Sequence, residues 1–335
     1  MSAARYPQPE LVAGAASAPD DYDADVIILA MDRAEDTIAA IASARAQQGV
    51  AKHVWVADQG SKPENLAKLA AAVAGAEDAT LVRLDRNHGV AGGRNRATAL
   101  GHARAIFALD NDAEFADATT LARAVAALDE APDLAAVGCR ILVYATGAED
   151  FPSWGYPISL FPKAAGSFDA CTFVGAGHAI RRAAWDQAGG YDDALFFCWE
   201  EFDFSLRAIN QGWRIRYRGD IAVRHKVSGE HRFSWSGTRW HYFVRNRLYI
   251  ELKSGASALA LLPRFLAYTV RGARNGVLRQ GLAAGLAALR LARHAPKQLP
   301  TEVGRDYMAR NDAVYRGGLL GRVRREILAA LPAPK

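Results

Sequence analysis

Cysteine is scarce in this sequence of 335 residues, which contains only three. Cys139, Cys171 and Cys198 form no CxxC pair and do not have the spacing of a metal site. Their odd number argues against a disulfide framework, which small secreted proteins use to compensate for a small core. We therefore expect the protein to reside in a reducing cytoplasm.

Several short motifs and long apolar runs are also missing. No GxxxxGK[ST] segment is present, which excludes a Walker-type NTPase, and the glycines do not follow the dinucleotide-binding GxGxxG pattern. The apolar runs are far shorter than the ~20 residues that span a bilayer. There is no repeat of solenoid type. Half of the 335 residues are hydrophobic, so a sizeable core is possible and we expect a globular protein.

Charge is distributed unevenly along the chain. Residues 257–335 carry 14 Lys and Arg against 4 Asp and Glu, a net charge of +10, although the whole protein carries only +5. We expect a disordered leader at 1–23, a main domain at 24–254, and a basic, amphipathic helical region at 255–335. A basic tail suggests an anionic partner, and its Leu and Ala content favours a membrane surface over nucleic acid.

Short apolar segments of β type alternate with Ala-rich segments of helical spacing. The expected strands are 25–30, 53–57, 80–84 and 105–109, and the expected helices are 34–48, 62–75 and 91–103. This alternation predicts a parallel sheet covered by helices. Further along we expect a helix at 117–131, a strand near 135–144, a long loop at 145–170, a helix from EEFD to about Gln211, and two strands in WRIRYRG and IAVRH.

Polar residues follow each of the first four expected strands, in the segments MDR, DQGS, DRNHG and DND. In a parallel sheet, ligands bind beyond the carboxyl ends of the strands, because loops there present polar groups without disturbing the core. We therefore expect the functional site at this edge of the sheet.

Asp110 and Asp112 follow the fourth expected strand with one residue between them. Residues i and i+2 of an extended backbone point to the same side, so both carboxylates can face one point, where they repel unless a cation lies between them. Hard oxygen ligands favour Mg²⁺ or Mn²⁺, which complete their shell with substrate phosphates and water. The pair thus predicts a phosphate-bearing substrate. The alternative is an Asx turn that caps the next helix.

A second acidic cluster comprises Glu200, Glu201 and Asp203. Four aromatic residues flank it: Phe196, Phe197, Trp199 and Phe202. Acids in a first helical turn also complement the helix dipole, worth ~0.3 to 1 kcal/mol each. The dipole explains one or two acids, but not three among four aromatics. An apolar surround raises the pKa of a carboxyl group and makes it a better proton acceptor near neutral pH.

The ordered motifs DQGS, NHGVAGGRN, LDND, FVGAGHAIRR, the run from GGYDDALFF to IAVRH, and RNRLYIELK resemble the inverting glycosyltransferases of family 2. The resemblance covers about residues 24–254. It implies the GT-A fold, an α/β fold with a mostly parallel sheet flanked by helices, here followed by a C-terminal helical appendage. It also implies transfer of a sugar from a nucleoside-diphosphate donor to an acceptor hydroxyl, with Mg²⁺ or Mn²⁺ as cofactor and inversion at the anomeric carbon.

The resemblance also implies roles for individual residues. The residue that matches Asp58 contacts the donor base or ribose, and the segment 87–95 lines the nucleotide and phosphates. The expected metal ligands are Asp110, Asp112 and His225; Asp110 is alternatively a ribose contact, and a lone histidine is also compatible with a structural role. The expected donor-binding residues are Asp32, Asp58, Asn87, Gly89, Arg94, Asn95, Asp110 and Asn111. The expected catalytic residues are Glu201, Glu200 and Asp203, and the expected acceptor-binding residues are Trp199 and Gly177.

The sequence departs from the family pattern in two places. Glu201 matches the general base, which is usually an Asp, so the reach differs by one methylene and the choice between Glu200 and Glu201 stays open. LAMDR follows the first strand, where many members have a Thr-Tyr-Asn type sequence, so stacking of the donor base on Met31 is open too.

Two further groups have alternative interpretations. The glycines of NHGVAGG open a helix and predict close approach of the backbone to the donor at a helix N-terminus. Arg245 and Arg247 either bind a substrate phosphate or are solvated or ion-paired.

The resemblance leaves the substrates open. UDP and dTDP are both candidate donor nucleotides, and the most similar-looking family members suggest a deoxysugar such as rhamnose. We expect a glycan or lipid-linked acceptor, in cell-surface glycan or glycolipid synthesis, and a peripheral location on the inner face of an anionic membrane.

Rival functions remain. A sugar-nucleotide nucleotidyltransferase would need a Gly-rich, basic loop after the first strand, and LAMDRAEDT lacks one. A non-catalytic protein could instead bind nucleic acid or membrane through the basic tail, or bind a sugar nucleotide without turnover. The substitutions Glu201→Gln and Asp112→Ala separate such a binder from an enzyme.

Overall fold

The structure, a computed structural model, describes residues 6–226 and 237–317. Residues 1–5 of the predicted leader and 318–335 of the predicted tail lie outside the described residues. The strands in the described ranges are β1 (Glu10–Gly14), β2 (Ala24–Ala30), β3 (Lys52–Asp58), β4 (Ala79–Arg83), β5 (Ala105–Leu109), β6 (Ala113–Phe115), β7 (Leu134–Val143), β8 (Ser167–Ala170), β9 (Gly177–Arg181) and β10 (Arg214–His225). The α-helices there are α1 (Ala34–Arg45), α2 (Pro63–Val73), α3 (Gly89–Thr98), α4 (Thr120–Asp129), α5 (Arg182–Ala188), α6 (Glu200–Asn210), α7 (Gly237–Lys253), α8 (Ala258–Arg274), α9 (Leu278–His294) and α10 (Glu302–Asn311).

One mixed sheet forms the centre of the protein, with the strand order β1-β4-β3-β2-β5-β9-β7-β10-β6 and β8 also paired to β10. Strands β4, β3, β2 and β5 are parallel, as the alternation of strands and helices predicted. Beyond β5 the direction changes, because β9 returns between β5 and β7 and is antiparallel to both. The predicted α/β fold, with a central sheet flanked by helices, is confirmed, and β9 makes its sheet a mixed one.

The leader is ordered over much of its length. Glu10–Gly14 form β1, which pairs antiparallel with β4, and the hydroxyl of Tyr22 donates to Asp25 Oδ1 at 2.5 Å. The prediction of a disordered leader is therefore wrong for this segment. Without β1, the N–H and C=O groups at the edge of β4 would be unpaired, and the added strand satisfies them.

The segment 145–170, predicted as a long loop, is more structured than expected. It contains 3₁₀ turns at Phe151–Ser153 and Ile158–Lys163 and ends in β8. Aromatic rings hold it to the sheet, since the Tyr156 and Tyr217 centroids lie 5.0 Å apart.

The two strands predicted in WRIRYRG and IAVRH form one strand, β10, with an irregular register against β7 between Arg218 and Ala222. Gly219 lies at this irregularity, where a Cβ would lie 2.4 Å from the Ala164 carbonyl oxygen. Gly219 therefore does not end the strand, and it permits close approach of a neighbouring backbone.

Apolar residues form a core on each face of the sheet. Val26 and Ile28 belong to one core together with Leu69 of α2, whereas the intervening Ile27 belongs to the other together with Phe204 of α6. Both faces are therefore covered, and the carboxyl edge of the parallel strands is left for polar loops.

The C-terminal helices pack on the main domain. Gly281 of α9 contacts the indole of Trp240 on α7, and the Tyr307 hydroxyl of α10 donates to the Ala170 carbonyl oxygen at 3.1 Å. None of the described helices combines the length and the apolar character needed to cross a membrane.

Candidate active site

A cavity of about 410 Å³ opens at the carboxyl ends of β2, β3 and β5. Loops after these strands, the start of α3, the segment before α6 and the first turns of α7 line it. The lining residues are Leu29, Ala30, Met31, Arg33, Gln59, Asn87, Gly89, Val90, Arg94, Leu109, Asp110, Asn111, Phe196, Phe197, Thr238, Arg239 and Tyr242. Polar loops that follow successive strands thus meet at one concave site.

Asp110, Asp112 and His225 meet beside this cavity. One ligand atom from each residue lies within 4.8 Å of the others. His225 ends β10 and pairs with Ala113 of β6, so antiparallel pairing brings the histidine next to Asp112 from far along the chain. Two carboxylates and an imidazole form a ligand set that can hold a divalent cation.

Asp150 supports the imidazole of His225 from behind. His225 Nδ1 lies 3.2 Å from Asp150 Oδ2, and its Nε2 lies 3.1 Å from Asp112 Oδ1. Asp150 is buried, and the Ser153 hydroxyl donates to it at 2.8 Å. A carboxylate in this position orients a metal-binding histidine and raises its basicity. Sequence reasoning missed Asp150, because nothing local distinguishes it within a segment interpreted as a loop.

Arginine side chains balance the charge of both aspartates. Arg33 Nη1 donates to Asp112 Oδ2 at 2.8 Å, and Arg94 Nη2 donates to Asp110 Oδ1 at 2.7 Å. Burial alone would raise the pKa of Asp112, but His225 and Arg33 hold that pKa below its ordinary value. Asp112 is therefore anionic at neutral pH and available to a cation.

Glu200 and Glu201 begin α6 in a buried environment. Burial raises the pKa of both carboxyl groups, and the charge of Glu201 raises the pKa of Glu200 further. Glu200 Oε2 has no hydrogen-bond partner among the described residues. The side chain of Glu201 is 13% exposed, whereas Glu200 is only 3% exposed, so Glu201 is the better placed to meet a substrate.

Arg94 joins the two acidic clusters. While its Nη2 donates to Asp110, its Nη1 donates to Glu201 Oε1 at 3.1 Å, and Nη2 also donates to the Gly175 carbonyl oxygen at 2.7 Å. A Cβ at Gly175 would lie 2.5 Å from Glu201 Oε1, so a side chain at this position would displace the Glu201 carboxylate. The acids at 110 and 201 thus lie at two nitrogens of one buried guanidinium.

Part of the chain matches a known protein family. Residues 25–189 match the family model described as "Glycosyl transferase family 2". These residues therefore form a glycosyltransferase family 2 domain. No curated protein sequence matches it.

Solved glycosyltransferase structures share the fold of this transferase. The mannosyltransferase PcManGT from Pyrobaculum calidifontis, in complex with GDP-Man and Mn²⁺, is 17% identical, with 96% of this chain and 82% of that chain covered and a TM-score of 0.54. GalNAc-T7 with UDP, GalNAc and Mn²⁺ is 15% identical, with 68% of this chain and 51% of that chain covered and a TM-score of 0.51. The transferase therefore spans about half of GalNAc-T7. At these identities the likeness shows the fold alone.

Asp203 of the transferase has partners that differ from those expected of a catalytic group. Its Oδ2 accepts a hydrogen bond from Arg207 Nε at 2.9 Å, and its Oδ1 lies 2.5 Å from Lys253 Nζ of α7. Both acid and lysine are almost fully buried. We interpret this as a structural ion pair that joins α6 to α7, which differs from the catalytic role expected from the sequence.

The glycines at the start of α3 lie close to other segments of the protein. A Cβ at Gly89 would lie 2.1 Å from the Phe196 carbonyl oxygen, and one at Gly93 would lie 2.7 Å from Gln59 Oε1. The N–H groups of Gly89 and Val90 donate to Asn87 Oδ1 and to the Phe196 carbonyl oxygen. The N–H groups of Gly89 and Val90 therefore bind other parts of the protein and not the donor that was expected. Here α3 packs against the segment before α6.

Asp32 and Asp58 organise loops instead of lining the cavity. Asp32 Oδ1 accepts hydrogen bonds from the Lys62 N–H and the Asn65 amide, which caps the start of α2. Asp58 is fully buried and accepts from the N–H groups of Gly60 and Ser61. The cavity wall at this point comes from Gln59 instead.

The three asparagines expected at the donor have different positions. Asn87 lines the cavity and places its amide 3.1 Å from Met31 Sδ, and Asn111 also lines it, with its amide 3.2 Å from Thr37 Oγ1. Asn95 is buried, and its amide donates to the Tyr191 carbonyl oxygen at 2.8 Å. Asn95 therefore holds the segment before α6 in place.

The segment that leads into α6 is strained and braced. Phe196, Cys198 and Trp199 all have positive φ angles, a conformation that side chains other than glycine rarely adopt. The buried amide of Asn246 on α7 donates to the carbonyl oxygens of Leu195, Phe197 and Cys198 at 2.8 to 2.9 Å.

The arginines of the RNRLY motif are committed to protein partners. Arg245 donates to the carbonyl oxygens of Ala194 and Leu195, and Arg247 forms an ion pair with Glu251 at 2.8 Å. Of the two interpretations left open by the sequence, these contacts favour the ion-paired, structural one.

The two residues expected at the acceptor lie outside the cavity wall. The Trp199 indole N–H donates to the Phe243 carbonyl oxygen at 3.0 Å, and Arg247 lies over its ring. A Cβ at Gly177 would lie 2.8 Å from the Val223 side chain, so this glycine faces a neighbouring strand.

Sequence reasoning missed the contribution of α7 to the cavity. Tyr242 stacks on Phe196 with ring centroids 5.1 Å apart, and Arg239 lies over the Phe197 ring. Thr238 and Arg239 also line the cavity. The interspersed aromatic and basic residues of TRWHYFVRNR were a signal, but one that amphipathic packing helices also give.

Proposed function

We propose that the protein is a metal-dependent inverting glycosyltransferase that transfers a hexose from a nucleoside-diphosphate sugar to an acceptor hydroxyl. The observation that carries the proposal is the single guanidinium of Arg94, which contacts Asp110 of the candidate metal cluster and Glu201 of the α6 cluster. The group that would hold the diphosphate side and the group that would accept a proton therefore lie in one cleft.

The residues present fit a divalent cation. Asp110, Asp112 and His225 supply two carboxylates and an imidazole, Asp150 orients that imidazole, and the remaining ligand positions would fall to phosphate oxygens and water. The nitrogen ligand favours Mn²⁺ over Mg²⁺, which prefers oxygen ligands. When bound, such a cation offsets the negative charge that develops on the departing diphosphate.

Glu201 is the proposed general base. Its raised pKa makes it a stronger proton acceptor than an ordinary glutamate, and its Oε1 is oriented by Arg94. It would take the proton of the acceptor hydroxyl as that oxygen attacks the anomeric carbon from the face opposite the diphosphate. Glu200 is more deeply buried, and burial raises its pKa well above the ordinary value, which favours its neutral form.

The cavity is the proposed donor site. Met31, Asn87 and Gln59 line it together with Arg33, Arg94 and Arg239, whose guanidinium groups can donate hydrogen bonds to a diphosphate. UDP and dTDP remain the proposed nucleotides, and a deoxysugar such as rhamnose is a candidate for the donor sugar. We propose a glycan or lipid-linked acceptor in cell-surface glycan synthesis, with the enzyme bound peripherally to an anionic membrane on its cytoplasmic side.

A thermal-shift screen tests the proposal. UDP, dTDP and GDP, and their sugar nucleotides, are added to the full chain with and without Mn²⁺. We expect stabilisation by one nucleotide only when the metal is present, and loss of this response in Asp112→Asn. NMR of the product would show the anomeric configuration opposite to that of the donor. A flat response across the panel contradicts the proposal.

A further inference from the structure

Helix α9 is amphipathic in the reverse sense. It buries only small residues: Gly281, Ala284, Gly285, Ala288 and Ala292. It exposes four of its five leucines, at intervals of three or four: Leu278, Leu282, Leu286 and Leu289. A helix of a water-soluble domain normally buries its leucines and exposes polar residues, so this helix presents to solvent the side that would ordinarily be hidden.

Helix α8 continues the same surface. Its exposed apolar residues also recur at helical intervals: Leu259, Leu262, Leu266 and Val270. Eight of the 17 exposed large apolar side chains in the described residues therefore lie on these two helices. An apolar groove of about 280 Å³ lies between α7, α8 and α9, with Phe265 and Leu282 in its wall. Clustering of this kind marks an interaction surface.

Positive charge lies beside this apolar surface. The chain from 252 to 301 contains no Asp or Glu. On α9, the exposed Arg279, Arg290 and Arg293 project within about 40° of Leu286 around the helix axis. Arg274 at the end of α8 is exposed too. The leucines and arginines together form what we call the α8–α9 face.

We infer that the α8–α9 face docks on the surface of an anionic phospholipid bilayer. Leucine side chains enter the boundary between headgroups and acyl chains, while the arginines bind the phosphates. A second copy of the chain fits less well, because a symmetric contact would place the same arginines against each other. Residues 318–335 fit less well for the same reason, since they carry four Lys and Arg against one acid.

The face begins next to the catalytic cleft. Arg279 and Gln280 at the start of α9 line a depression of about 550 Å³ together with Thr238 and Tyr242. Thr238 and Tyr242 also line the donor cavity. Docking through this face therefore holds the cleft beside the membrane surface, within reach of a lipid-linked acceptor; this last step rests on the proposed function.

Co-sedimentation of the full chain with vesicles tests the inference. The vesicles contain phosphatidylcholine alone or with phosphatidylglycerol. We expect binding to the anionic vesicles, with affinity reduced at least about tenfold in Leu282→Glu/Leu286→Glu and roughly fivefold for each of Arg290→Gln and Arg293→Gln. The matched controls Leu299→Glu/Val303→Glu and Arg305→Gln, at exposed sites outside the face, should bind like the wild type.

Several results would overturn the inference. These are no vesicle binding, equal binding to neutral vesicles, dimerisation that the leucine variant abolishes, or binding to duplex DNA at the same salt in place of vesicles. The leucine variant should retain the thermal unfolding of the wild type, since its sites are exposed. The nucleotide and Mn²⁺ thermal shift is measured on the same proteins: vesicle binding without that shift would leave docking in place and reject the proposed transfer reaction.

Discussion

The two acidic clusters of the cleft lie a single side chain apart but have opposite environments. Asp112 contacts Arg33 and His225, and these partners hold its pKa below the ordinary value. Glu200 and Glu201 start α6 in a buried environment that raises their pKa values. One carboxylate is thus kept charged, and the others are made ready to hold a proton.

This difference in pKa shift shows that chemically similar groups in one cleft take different roles because their surroundings differ. Acids whose pKa values are pushed apart, as at Asp112 and Glu201, are the pattern expected where one binds a cation and the other exchanges protons. Arg94 contacts both sets, so each set is sensitive to the other. Substitutions that remove one set and spare the other test this comparison most directly.

Glu201→Gln should have the largest effect. An amide cannot accept the acceptor proton, so we expect kcat to fall by ~10²- to 10⁴-fold. Nucleotide binding with Mn²⁺, measured by thermal shift, should be retained, because the other cluster is intact. The exposed Glu77→Gln serves as a matched control and should leave kcat unchanged. Full activity in Glu201→Gln would show that another group is the general base.

Asp150→Ala should weaken Mn²⁺ binding by about 10- to 100-fold, because His225 loses the carboxylate that orients its ring. Asp150→Asn, which keeps a hydrogen-bond acceptor, should restore part of the affinity. Calorimetric titration with Mn²⁺ measures both. Glu149→Gln lies in the same segment but pairs with Arg140, so it should bind Mn²⁺ like the wild type. Unchanged affinity in Asp150→Ala would mean that His225 is not a ligand.

The pH dependence of kcat should show the raised pKa of Glu201. A base must be unprotonated, so activity should fall as pH falls through that pKa, by about tenfold for each further pH unit. The acidic limb should lie above the ordinary glutamate value of ~4.3. An acidic limb at or below that value would show that burial does not raise the pKa of Glu201 in the active enzyme.

Glu200→Gln should have the smallest effect, on stability. Because the folded-state pKa of Glu200 is raised, the folded protein holds a proton that the unfolded chain has released between the two pKa values. Unfolding free energy therefore falls as pH rises through that window, by up to ~1.4 kcal/mol per pH unit for this group. Urea unfolding from pH 4.5 to 8 should show a shallower decline in the variant. An unchanged slope of unfolding free energy against pH would show that a group other than Glu200 titrates in this range.

Local pattern was enough to predict the first half of the fold. The segment 105–109 is β5 at the bounds expected, and the parallel strands follow from alternation of apolar segments with helices. The local pattern did not predict elements that depend on pairing between distant segments. Strand β1 is one of these, because it forms by pairing with the edge of β4.

The site was predictable to the extent that it depends on residue type. The convergence of Asp110, Asp112 and His225 agrees with the motif-based expectation. Other roles depend on partners that the fold brings close. The sequence predicts a third catalytic acid at Asp203, but in the structure Asp203 forms an ion pair with Lys253 of α7. Asp150 gave no signal, since its importance comes only from facing His225.

The missing side chain at Gly175 has a consequence for how this enzyme can evolve. Any larger residue there would push against the Glu201 carboxylate or displace the main-chain oxygen that Arg94 grips. A change of one methyl group would thus shift the proton acceptor without altering any reactive atom. Redesign of this site is therefore constrained at a position that has no side chain of its own.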